Sequence, residues 1–313
     1  MASRHQLLLR DLLVTSFFVL AITSHAKGSY KSIFSFGDSF ADTGNALHLL
    51  QQPNTPPPYF GRLPYGETFF HHPTGRFSDG RLVIDFIAKC LGLPFVPPYF
   101  GSGDSNNSTA GLSSKIYDGG ANFAVAGATA LDAEFFAERG IPILFPNASL
   151  GDQLKWFKEL LPSLCSSTSD CNELLRNSLI LMGEIGSNDF NFPLTQGRSI
   201  EEVQGFVPHV VNAIGSAIQD LIKQGAVTFL VPGNPPIGCL PLYLTQYNST
   251  NKDEFNHSTG CIGKLNKFAM HYNGMLQIEL NKIQKLHPHA EIMYADYYEV
   301  IIRLYRQPQL FGI

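Results

Sequence analysis

Charged side chains are scarce in this sequence, 15% of 313 residues against roughly 25% in a typical soluble domain. Those present nearly cancel, leaving a formal net charge of −4 and a pI near 6.2. Such a balance offers no basic face to nucleic acid or to an anionic membrane. Long apolar runs are missing as well. Beyond the N-terminus no stretch approaches the roughly 20 residues that a spanning helix needs. The five cysteines (90, 165, 171, 239 and 261) make neither a C-x-x-C nor a Cys/His spacing, so no metal site is implied. No G-x-G-x-x-G opens a helix, which argues against a nucleotide binder and leaves no cofactor to expect. The chain also lacks repeats, low-complexity tracts and any composition break that would mark a domain boundary.

What the chain has is apolar material, 44% of its residues, enough for a sizeable core. Arg4 and Arg10 precede the apolar stretch Leu12 to Ile22, and Ser24-His25-Ala26 then supplies small residues before Lys27. This is the pattern of a cleaved secretory signal. Residues 1–26 are therefore expected to be a signal peptide and 27–313 a single domain, secreted to the extracellular space or cell wall. Sequons at Asn106, Asn107, Asn147, Asn248 and Asn256 fit a glycoprotein. In an oxidising compartment cysteines pair. Cys165 and Cys171 close a short Ser-rich loop, and Cys239 and Cys261 flank a sequon-bearing one, so those pairings are expected. Cys90, inside an apolar helical pattern, reads as a buried small hydrophobe.

Apolar runs alternate with helix-period segments along the chain, the signature of βαβ units and a parallel sheet. Strands are expected at Ser32 to Phe36, Ala121 to Ala126, Ser178 to Ile185, Ala226 to Val231 and Ala290 to Ala295. Between them fall helices over Leu82 to Leu91 (capped by Asp79), Leu150 to Leu161, Ile200 to Lys223 and Ile262 to Leu286, with a last one over Tyr297 to Arg306. Residues 46–80, rich in Pro, Gly and aromatics, read as a long ordered excursion.

Ligands of open parallel sheets bind beyond the carboxyl ends of the strands. Three such ends are unusual here: Gly37-Asp38-Ser39, Ala126-Gly127-Ala128 and Gly186-Ser187-Asn188-Asp189. Acyl transfer needs a hydroxyl nucleophile and N–H donors aimed at the developing oxyanion. Ser39 offers the first; the Ser39 and Gly127 backbone N–H groups and the Asn188 carboxamide offer the second. Taken singly, each residue has a plainer reading: a helix N-cap for Ser39, tight strand–helix packing for Gly127, a turn cap for Asn188. Asp38 is expected to close an Asx turn, with Asp42 and Asn45 fixing the same loop.

FGDSFADTGN, GGANFAVAGATA and GSND, in this order on successive strand ends, resemble the SGNH hydrolases, and more closely the plant-type GDSL esterase/lipase group. PYGETFFHHPTGRFSDGRLVIDFIA and VPGNPPIGCLP resemble that group too, so the likeness covers residues 30 to 313. It implies a three-layer α/β/α sandwich, flavodoxin-like, around a five-stranded parallel sheet. It also implies Ser39 as nucleophile, Gly127 and Asn188 as oxyanion donors, and a small-molecule ester as substrate. Gly119 and Gly120 compete with Gly127 for the glycine role. A monomer is expected.

The family takes both its base His and the orienting Asp from a C-terminal D-x-x-H, and this sequence contains none. His71 and His72, His271, and His287 and His289 are its other candidates, and none is expected to serve. The chain therefore reads as C-terminally truncated, without the last helix, with kcat lowered on the order of 10⁴- to 10⁶-fold. The alternative is a non-catalytic secreted glycoprotein that keeps the ester pocket.

Overall fold

A computed structural model describes residues 30–101, 117, 119–143, 148–247 and 251–312. The expected signal peptide and the sequons at Asn106, Asn107, Asn147 and Asn248 lie outside them.

Five strands form one parallel sheet: β1 (Ser32–Phe36), β2 (Gly120–Asn122), β3 (Ser178–Met182), β4 (Thr228–Pro232) and β5 (Glu291–Ala295), in spatial order β2-β1-β3-β4-β5. The helices among the described residues are α1 (Asn45–Leu50), α2 (Val83–Leu91), α3 (Ala133–Ala137), α4 (Leu150–Leu164), α5 (Thr168–Arg176), α6 (Ser187–Thr195), α7 (Ile200–Gln204), α8 (Val207–Lys223), α9 (Pro241–Gln246), α10 (Gly263–Leu286) and α11 (Tyr297–Arg306). The strand order is that of a doubly wound sheet, with its switch point between β1 and β3.

Side chains alternate across the sheet. Ile33, Leu179 and Leu181 point to one face, where Ile84 and Ala88 of α2 cover them. Phe34, Phe36, Ile180, Met182 and Phe229 point to the other. There Phe157 of α4 meets Phe34 and Phe36 edge-on, at 5.4 and 5.7 Å between centroids. α8 and α10 complete that layer through Val210, Ile214, Leu276 and Leu280. Two layers of helix thus enclose the sheet.

Several expected boundaries shift. β2 ends at Asn122 rather than Ala126, because the Asn122 side chain turns back to accept from the Ala124 N–H (2.9 Å). The chain nevertheless stays alongside β1: Phe123 N–H donates to Ser35 O (2.7 Å) and Val125 N–H to Gly37 O (3.1 Å). The helix expected over Ile200 to Lys223 is two, α7 and α8, parted at Gly205-Phe206. Asp79 does not cap α2. Asp85 does, accepting from the Leu82 N–H at 2.8 Å. Cys90 is exposed, because it shares the outward stripe of α2 with Val83 and Phe86. Both expected disulfides, Cys165–Cys171 and Cys239–Cys261, are present.

Candidate active site

The turn that carries Ser39 begins where β1 runs out. Gly37 has φ +145°, and a Cβ there would lie 2.9 Å from the Glu184 carbonyl oxygen, so only glycine fits. Gln153, buried on α4, clamps this residue from both sides: its Oε1 accepts from the Gly37 N–H (2.8 Å) and its Nε2 donates to the Gly37 carbonyl (2.9 Å). Ala41 and Asp42 N–H groups fold back onto the Asp38 carbonyl (3.1 and 2.9 Å), which leaves half-buried Ser39 on the crest of the turn. The Asx turn expected of Asp38 is there, with Oδ1 accepting from the Phe40 N–H at 3.0 Å.

Asp42 and Asn45 fix the loop as expected. Asp42 Oδ1 accepts from the Gly44 and Asn45 N–H groups (2.7 and 2.6 Å). Its Oδ2 accepts from the Ala46 and Ala126 N–H groups (3.0 and 2.8 Å). Asn45 Nδ2 donates to the Asn122 and Ala124 carbonyls, both at 2.8 Å. The β1 and β2 loops are therefore one hydrogen-bonded unit.

Gly127 occupies the turn that follows, at φ +81°, with the Ala128 N–H closing onto the Val125 carbonyl (3.0 Å). Its competitors sit elsewhere. Gly120 pairs with Ile33 at the opposite end of the sheet, where a Cβ would overlap the Ile33 carbonyl, and a Cβ on Gly119 would press on Pro94. Gly127 alone of the three is at the carboxyl rim.

Asn188 lies in the first turn of α6, after Gly186 at φ +106°. Its Nδ2 donates to Asp38 Oδ2 and to the Ala128 carbonyl, both at 3.0 Å. The carboxamide thus bridges the residue before Ser39 and the residue after Gly127. Asp189 reinforces the same junction, accepting from the Ala130 and Leu131 N–H groups (2.7 and 3.0 Å). Asn188 Oδ1 faces the Asn191 amide at 3.4 Å, and Asn191 Oδ1 in turn accepts from the Tyr243 hydroxyl.

Behind this junction lies a group that the sequence reading left without a role. Glu184, 1% exposed, accepts from the Ser187 hydroxyl at 2.5 Å, and it lies beside Asp38, whose N–H donates to the Glu184 carbonyl at 2.9 Å. Two buried carboxyls side by side disfavour double ionisation and favour one proton held between them. Burial, and then the Glu184 charge, push Asp38 well above the usual carboxylate range. Burial raises Glu184 too, and it pushes Asp189 up to about 7 against the pull of its two amide donors. The sequence signal was an acid two residues before a Gly-Ser-Asn-Asp turn; its contact across β1–β3 was not readable.

The candidate histidines are local in their contacts. His71 and His72 are exposed, and their Nδ1 atoms face the carbonyls of Glu67 and Phe70 in their own loop. His271 is exposed on α10, and His287 and His289 meet ring to ring just before β5. Among the described residues no cluster of three or more His, Cys, Asp or Glu is placed to hold a metal, and no helix is long and apolar enough to cross a membrane.

A doubly wound sheet with Ser39 on a tight turn after its first strand, beside a glycine turn and a carboxamide from the next two strand ends, is the layout of the SGNH hydrolase fold. The chain belongs to the GDSL-like Lipase/Acylhydrolase family, whose model matches residues 33–309. It is 51% identical over 302 residues to GDSL esterase/lipase At1g28570 of Arabidopsis thaliana, an alignment that covers 96% of this chain and 75% of that one. GDSL esterase/lipase At2g27360 of the same plant is 49% identical, with 100% and 77% covered. Sinapine esterase of Brassica napus is also 49% identical, with 96% and 76% covered.

Proposed function

We propose that this chain is a secreted carboxylic ester hydrolase that works through an acyl-enzyme on Ser39, with the tetrahedral oxyanion held by the Ser39 and Gly127 N–H groups and the Asn188 carboxamide. The observation that carries it is the double hydrogen bond of Asn188 Nδ2, to Asp38 and to Ala128. It draws the nucleophile turn, the glycine turn and the carboxamide to one rim. Both N–H bonds of that amide have acceptors at rest. A developing oxyanion would displace the neutral Ala128 carbonyl, because a charged acceptor makes the stronger hydrogen bond. That is the differential binding that lowers a barrier. The left-handed backbone at Gly127 keeps its turn free of a Cβ where the substrate carbonyl would approach.

Proton removal from Ser39 is the incomplete step. These 313 residues contain no D-x-x-H, so turnover by them alone should fall short of a full triad by on the order of 10⁴- to 10⁶-fold. That favours a second reading, a non-catalytic secreted glycoprotein that retains the ester pocket. Hydrolysis of p-nitrophenyl acetate by this chain and by Ser39→Ala separates the two. A rate that vanishes in Ser39→Ala supports the esterase; equal rates reject it. Secretion has its own readout: a chain beginning at Lys27 in the medium of a secretory host, shifted by glycosidase treatment. Retention of Met1 in a cell-bound product would reject that part.

A further inference from the structure

Asp38 and Glu184 form a buried carboxyl pair that the esterase reading does not use, and Asp38 touches the Asn188 amide directly. Asp38 Oδ2 is one acceptor of the Asn188 Nδ2 group, at 3.0 Å. Glu184 is anchored on its other oxygen by Ser187, one residue before Asn188. Its Oε2 finds no neutral donor among the described residues, and a proton carried by the Asp38 carboxyl would satisfy it. Asp189, the buried Tyr272 and the half-buried Tyr297 complete the titratable surroundings of the pair among the described residues. None supplies a cation.

A side-chain amide is nearly symmetric in shape, and its neighbours decide which end presents N–H and which presents oxygen. If the proton on buried Asp38 pointed toward Asn188, it would pair with Asn188 Oδ1. The amide would then be drawn to turn its oxygen toward Asp38, against the pull of the Ala128 carbonyl and the Asn191 amide, and to withdraw an N–H from the rim. If the proton points toward Glu184, Asp38 Oδ2 stays an acceptor and Nδ2 is selected. We infer that Glu184 is a positioning residue for the ester reaction: by drawing the shared proton away from Asn188 it sets the orientation of the oxyanion-donating amide. This inference rests on the proposed role of Asn188 and deepens it.

The test is steady-state hydrolysis of p-nitrophenyl acetate by the full chain, above a Ser39→Ala blank and normalised to folded protein. Affinity for phenylboronic acid runs in parallel, since its boron closes a tetrahedral adduct on a serine oxygen and reads the same donors if turnover is slow. Glu184→Met should lower kcat, and weaken boronate binding, about 10- to 100-fold, short of the 10²- to 10³-fold loss from deleting an oxyanion donor outright. KM should stay within about twofold, because the amide acts on the tetrahedral state. Glu184→Gln should return both readouts to within about threefold of the parent, its Nε2 donating to Asp38 in place of the shared proton. Ser187→Ala serves as a milder break that guards against misfolding of the Met variant, removing only the hydroxyl that anchors Glu184. It should lower kcat about 3- to 10-fold, again without a change in KM. Asn188→Ala separates the two levels of the argument. If it loses activity while Ser187→Ala and Glu184→Met keep the parental kcat, the positioning role is wrong and the esterase reading stands. If Asn188→Ala or Ser39→Ala changes neither readout, the reading beneath it falls and takes the inference along.

Discussion

A single carboxylate can organise an entire loop when every one of its lone pairs meets a backbone N–H. Asp42 does this with four amides, on Gly44, Asn45, Ala46 and Ala126, and so fixes the Ser39 turn to the Gly127 turn through one carboxylate. Asn in its place keeps the shape but replaces one acceptor oxygen with an N–H₂. Two buried backbone donors would then face a donor. Leaving a buried group unsatisfied costs about 1–3 kcal/mol each, so Asp42→Asn should destabilise the chain by roughly 2–6 kcal/mol in urea denaturation. A loss below about 1 kcal/mol would mean that the loop is held mainly by the Asn45 and Asn122 amides instead. Gly37 makes the complementary point. At φ +145°, with the Glu184 carbonyl 2.9 Å from any added Cβ, even alanine would push β1 away from β3 where Ser39 is presented.

At the scale of elements, the excursion from residue 46 to 80 is attached by one buried ion pair. Arg76 donates through Nε and Nη2 to the two oxygens of Asp85 (2.9 and 2.8 Å). Both side chains are almost fully enclosed, and Asp85 at the same time caps α2. Breaking such a pair from one side strands a charge in the interior, which costs about 3–5 kcal/mol. Arg76→Met should therefore unfold near that cost, and Arg76→Met with Asp85→Leu should recover part of it, the cap bond excepted. Calorimetric melting of the single and double variants checks this, and a double variant no better than the single would refute it. The pair also shows what a sequence can and cannot convey. Strands β1, β3 and β4 were legible because buried parallel strands are short continuous apolar runs, the half-exposed edge strand β5 because it follows a helix stop at Pro288, and α11 because its apolar residues keep a clean helical period between an Asp cap and a polar end. The three strand-end motifs were legible because they demand rare combinations of small and polar residues. What was not legible lay in long-range partners. Arg76 and Asp85 are ordinary charges in a one-dimensional reading, Glu184 and Gln153 become site residues only when β1 lies beside β3 and α4, and Cys90 falls on the wet side of α2 through a rotation that its apolar neighbours disguise.

Across the whole molecule, the rim of the sheet concentrates buried acid. Asp38, Glu184 and Asp189 are all raised by burial, Asp189 to about 7, whereas free carboxyls ionise near pH 4. Between about pH 4 and about pH 7 the folded chain thus holds protons that the unfolded chain has released. Stability then falls as pH rises through that window, since the state that binds more protons is the one favoured by acid. Other groups add their own slopes, chiefly the histidines, so the informative quantity is the difference between the parent and Glu184→Gln. The amide removes one buried acid from the coupled pair while keeping the bonds to Ser187 and Asp38. Melting temperature should drop between pH 5 and pH 8 in the parent and drop measurably less in Glu184→Gln, with the variant relatively more stable at pH 8. Parallel curves would mean that the Asp38–Glu184 pair ionises alike in the folded and unfolded chains. The shared proton would then have no thermodynamic weight, and Asp38 would stand as an ordinary carboxylate held by Phe40 and Asn188 alone.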